Sequence, residues 1–160
     1  MEIASLAVIK KELKTLEPQE ALDLCLRLTR FKKENKELLS YLLFDSQDED
    51  RYIRQACNDV DEILESINTT GFYLAKKTIR KAHRSINKHI RFSPKKETEV
   101  EIRLYFCRKL TALKIKFKTS RVLMNLYENE LKRIDKALST LHPDLQFDFD
   151  APFEEAKSFL

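Results

Sequence analysis

Three histidines, His83, His89 and His142, and three cysteines, Cys25, Cys57 and Cys107, are the side chains of this sequence best suited to metal ligation, nucleophilic attack or proton transfer. Their spacing supports none of the common constellations. Neither Cys-x-x-Cys nor His-x₃₋₅-His occurs, and His83 and His89 stand six apart, on different sides of a helix. A helical di-iron site needs an acid three residues before a histidine, and Arg80, Ile86 and Ser139 hold those positions. Nucleotide loops need several glycines, whereas Gly71 is the only one, and the Asp45–Asp50 turn lacks the glycine of a calcium loop. No metal and no cofactor is expected. A Ser or Cys–His–Asp triad meets only in three dimensions, so a hydrolase of unrecognised type stays open as a third reading. His83 lies among Lys81, Arg84 and Lys88 with no orienting acid in the adjoining sequence. His89 borders an apolar stripe and reads as structural, and His142, before Pro143, reads as a C-terminal cap.

The acids Asp59, Asp61, Glu62 and Glu65 gather on one helix and read as a solvated face. The basic residues carry the stronger signal. The 30 Lys and Arg nearly balance the 26 Asp and Glu, for a net charge of +4. Yet no acid occurs between residues 66 and 96, or between 102 and 127. Like charges repel, and a merely solvated surface intersperses its signs. Lys77, Lys81, Arg84, Lys88 and Arg91 recur at helical spacing as a ridge opposite Phe72, Ile79 and Ile86. These five are the candidate binding residues. Such a ridge suits an acidic protein partner or the backbone of a nucleic acid, and no exposed aromatic pattern for base stacking is visible beside it. The competing reading is neutralisation within the molecule by the acidic helix or by the acidic C-terminal segment.

A helical framework must present these groups. Leucine is abundant and valine occurs at only four positions, while one glycine and four prolines exclude multi-hairpin β architectures. Apolar stripes predict about seven helices. Leu6, Ile9, Leu13 and Leu16 mark the first, over some fifteen residues, and Pro18 opens the second, through Phe31. The third carries Leu38 to Leu43, the fourth runs to about Ile67, and the fifth runs from Phe72 to about Phe92, ended by Ser93-Pro94. Val100–Leu104 and Leu113–Lys118 alternate with period two, but a hairpin between them would have to turn at Arg108-Lys109-Leu110 without turn residues, which favours helix. Thr119-Ser120 caps the seventh.

The expected fold is therefore all-α, a multi-helix bundle, with a short HEAT- or armadillo-like solenoid as the alternative. Residues 1–143 form one helical domain, with a sub-division near 68–71, where Asn68-Thr69-Thr70-Gly71 is the clearest break, and 144–160 form an acidic, aromatic tail anchored by Phe147, Phe149 and Phe153. The cysteines read as reduced, buried thiols, which with the absence of an apolar leader or membrane-length segment places the chain in the cytoplasm. The functional expectation is a non-enzymatic interaction domain that binds an acidic protein partner or itself. Sequence-nonspecific nucleic-acid binding is the alternative.

Overall fold

The computed structural model describes residues 2–68, 71–113, 115 and 117–160. Among them are eight α-helices and no strand. The chain divides into two compact units between Phe44 and Asp45.

In the first unit, α1 (Leu6–Leu13) starts at Ser5, whose side chain accepts a hydrogen bond from the Val8 amide, and is shorter than its leucine stripe suggests. α2 (Pro18–Phe31) begins with a capping box between Glu17 and Glu20 and with proline in the first turn, where its missing N–H removes no bond. Lys32 is extended and separates α2 from α3 (Lys33–Ser40). The two pack together, with the Asn35 amide donating to the Leu28 carbonyl at 2.8 Å. No residue of α1, α2 or α3 is buried. A π-helical turn follows at Tyr41–Asp45.

In the second unit, α4 (Glu49–Glu65) is capped by Asp48 and packs on α5 (Phe72–Phe92) and on α6 (Lys96–Ala112). A 3₁₀ turn at Phe117–Thr119 leads to α7 (Arg121–Leu138), whose first turn is capped by Ser120. The eighth helix, α8 (Pro143–Lys157), lies on α6 and α7. The sequence reading of residues 144–160 as a tail is thus refined: they form a helix started by His142, whose ring accepts from the Asp144 amide at 3.3 Å, so this histidine is an N-cap rather than a C-terminal cap. Phe153 is buried and Phe149 half-buried, but Phe147 is 78% exposed, and the anchor missed was Phe159, which sits against Phe117 and Tyr127.

α6 is the axis of this bundle. It packs on α4, α5, α7 and α8 and buries Val100, Ile102, Leu104, Phe106, Cys107 and Leu110. A helix covered on so many sides has no single apolar stripe, which is why its sequence alternates like a strand. The break at residues 68–71 does not separate the two units, because α4 and α5 on either side of it pack together and share one hydrophobic core. Thr69, Thr70, Lys114 and Lys116, which figured in the break, the alternating run and the basic stretch, lie outside the described residues. Cys107 is buried and Cys57 half-buried, while Cys25 is exposed, contrary to expectation: α2 packs on the eight-residue α3 and buries none of its residues. Among the described residues, no helix is long and apolar enough to cross a membrane.

Candidate functional site

α5 positions the basic residues. Its inward face carries Ala75, Ile79, Ala82, Ile86, His89 and Phe92, all buried, at spacings of three and four. Burying each isoleucine is worth about 1.5–3 kcal/mol, enough to fix the rotation of the helix about its axis. The opposite face is thereby turned outward. Lys77, Lys81, Arg84 and Arg91 are exposed and Lys88 is partly covered, so the five sequence-predicted residues do share one row. From Lys77 to Arg91 the row is about 21 Å long at 1.5 Å per residue. Lys77, Lys81 and Arg84 form no ion pair among the described residues.

Three of the acids expected to neutralise this row, Asp59, Asp61 and Glu154, are engaged elsewhere. Asp59 of α4 meets the His89 ring at 2.8 Å, and Asp61 accepts from Tyr105 at 2.6 Å and from Lys109 at 2.9 Å. Burial would raise the Asp61 carboxyl, but these hydrogen bonds hold it below its ordinary value. In α8, Glu154 pairs with Lys157 of its own helix. The row has one neighbour that the sequence reading did not find: Tyr73, 76% exposed, stands one turn before Lys77 on the same face.

Beneath the row lies a second, buried constellation. Glu130 of α7 is fully buried and accepts from His83 at 2.9 Å, Arg103 at 2.6 Å and Arg133 at 3.0 Å. Arg103 also pairs with Glu99, and the Asn87 side chain donates to the His83 carbonyl and accepts from Arg103 and Arg133. His83 therefore has the partnering acid that its neighbours in sequence do not supply, delivered from 47 residues away. Burial would push the Glu130 carboxyl up, yet hydrogen bonds and charge from His83 and Arg103 hold it below its usual value. Two signals stood in the sequence. Glu130 falls between Tyr127 and Ile134 on the inward stripe of α7, and Arg103 falls between the apolar Ile102 and Leu104.

No family model matches this chain, and neither a curated protein nor a solved structure does.

The chemistry open to the buried cluster follows from its geometry. The His83 ring stacks on Phe106 with centroids 5.8 Å apart, and both Glu130 oxygens are held by cationic or imidazole donors. The nearby Cys107 thiol is pushed up to about 12 by burial and by the Glu130 charge, so it stays protonated. Among the described residues, no group of three or more His, Cys, Asp or Glu is arranged to hold a metal. The cluster ties α5, α6 and α7 together, and in doing so sets the outward face of α5.

Proposed function

We propose that this protein is a helical interaction module that receives an acidic protein surface on the basic face of α5. The observation that carries this reading is the row of outward cations in which Lys77, Lys81 and Arg84 have no acid partner among the described residues. A structural or solubilising row would be interspersed with acids or answered by them, because a rod of like charge costs free energy through self-repulsion. An incoming anionic surface removes that cost and adds attraction that steers association.

A second reading, a nucleic acid backbone on the same row, is favoured by Tyr73. An exposed ring in line with the cations offers a stacking platform for an unpaired base, worth about 1–3 kcal/mol. The test is retention on poly-L-glutamate and on single-stranded RNA as salt is raised. The triple variant Lys81→Glu, Arg84→Glu, Lys88→Glu is expected to lose both while keeping its helical circular dichroism. Retention that ignores salt, or that survives the triple reversal, overturns the reading.

A further inference from the structure

A groove of about 670 Å³ runs along α6, between Ile53 and Cys57 of α4 on one side and Phe149, Pro152 and Ala156 of α8 on the other. Leu104 and Tyr127 form part of its apolar lining, and no residue of α5 takes part, so it is separate from the basic row. Its lining spans Glu101 to Thr111 of α6 and Asp148 to Ala156 of α8, about 15 and 12 Å, or some two to three helical turns. A trough of that length walled by helices is the shape into which a further helix packs, side chains seated between the ridges of its neighbours.

Its charge selects the occupant. Glu101, Asp148 and Glu155 line the groove, are exposed, and form no ion pair among the described residues. Among the described residues Arg108 is the one Lys or Arg in the lining, and its guanidinium lies over the Tyr105 ring at 5.1 Å. Partial burial raises the Glu101 carboxyl, and the charges of Asp50 and Glu97 add to that. Apolar walls with an uncompensated acidic rim complement an apolar stripe flanked by cations.

We propose that this groove docks an amphipathic helix of a partner protein, about three turns long, with its apolar stripe against Phe149, Pro152 and Ala156 and with Lys or Arg flanking that stripe, facing Glu101, Asp148 and Glu155. Cations on the incoming helix relieve the repulsion at Glu101. Apolar side chains on it cover the half-buried Cys57 and Phe149. The inference does not rest on the reading of α5, and the two surfaces together would make the chain an adapter between an anionic and a cationic partner.

The experiment titrates the full chain into two fluorescein-labelled 18-residue peptides, a Leu/Lys and a Leu/Glu amphipathic helix, and follows anisotropy. The Leu/Lys peptide is expected to bind at least tenfold more tightly than the Leu/Glu peptide. Glu101→Lys with Glu155→Lys, both at exposed positions, is expected to weaken it at least tenfold without lowering the melting temperature. Ala156→Trp, which fills the trough, gives the same loss, whereas reversal of Lys81, Arg84 and Lys88 leaves it unchanged. Equal binding of the two peptides, or Leu/Lys binding indifferent to the Glu101/Glu155 pair, overturns the proposal. So does a peptide-free oligomer that Ala156→Trp dissociates, which would make a second copy of this chain the occupant.

Discussion

The Arg103 guanidinium and the Glu130 carboxylate meet 2.6 Å apart between α6 and α7, with side chains only 6% and 1% exposed. Two charges withdrawn from water to this extent are compensated only by each other and by their remaining hydrogen bonds, here from His83 and Arg133 to Glu130 and from Arg103 to Glu99. Removing one partner should therefore cost much more than removing both. Arg103→Met is expected to lower unfolding free energy in urea by about 3–5 kcal/mol, and Arg103→Met with Glu130→Met to recover at least half of that. Equal losses in the single and double variants would show that the pair does not act as a unit.

The same carboxylates set the acid limit of the fold. Asp61, Glu99 and Glu130 are held below their ordinary values of 3.8 to 4.5: burial opposes this, but hydrogen bonds and charge from Tyr105, Lys109, Lys96, Arg103 and His83 outweigh it. A depressed folded value means that the unfolded chain binds more protons as pH drops below about 4.5, so the stability these groups contribute above that pH is lost progressively below it. Thermal melts are expected to fall between pH 4.5 and 3, and Glu130→Gln to fall less steeply. A melting temperature constant over that range would refute the assignment. Glu101 has the opposite sense: raised by burial, Asp50 and Glu97, it opposes folding when ionised, so Glu101→Gln should raise the melting temperature at pH 7.

Thiol labelling separates the three cysteines. Cys25 is exposed and should react with a maleimide within the mixing time of an ordinary experiment, while Cys107 should react only on unfolding. Cys57 belongs between them, half-buried, with its thiol pushed up to about 11 by burial and by Asp61 and Glu101. Modification of Cys107 in the native protein at the Cys25 rate would contradict the packing of α6.

What the sequence made legible follows from how local each signal is. The inward stripe of α5 and its opposite row of cations lie within one helix, so spacing placed Ile79 and Ile86 inside and Lys77, Lys81, Arg84 and Arg91 outside, while Phe72, expected inside, is exposed and Lys88 is partly covered. α6 was harder, because packing against four helices blurred its period and only the lack of turn residues at Arg108-Lys109-Leu110 spoke for helix. The Glu130 cluster was missed because its members come from α5, α6 and α7, and no spacing rule joins His83 to an acid 47 residues on. Cys25 was misjudged for the converse reason. Its stripe is apolar and periodic, but α3, which packs on α2, is too short to cover it.

Tyr73 discriminates the two anionic partners of α5. Tyr73→Ala removes a ring that is 76% exposed, so its effect on stability should be within about 0.5 kcal/mol. If unpaired bases stack on the ring, affinity for single-stranded RNA should fall about fivefold or more while retention on poly-L-glutamate stays constant. An equal effect on both polymers, or on neither, would remove the one observation that favours nucleic acid.

Deletion of residues 144–160 tests the position of α8 against that of the basic row. The helix buries Phe153 against the core, sets Phe159 on Phe117 and Tyr127, and accepts a hydrogen bond from the Tyr127 hydroxyl at the Ala156 carbonyl, 2.8 Å away. Loss of those aromatic contacts should cost about 3–5 kcal/mol and lower the melting temperature by some 10 °C or more. Phe159→Ala should reproduce much of that loss, whereas Phe147→Ala, at a side chain 78% exposed, should not. Because α8 rests on α6 and α7 rather than on α5, the shortened chain should bind poly-L-glutamate with unchanged salt dependence at a temperature where it remains folded. A gain in that binding would mean that the acids of α8 do shield Lys77, Lys81 and Arg84, and the basic face would then be one that this chain covers for itself.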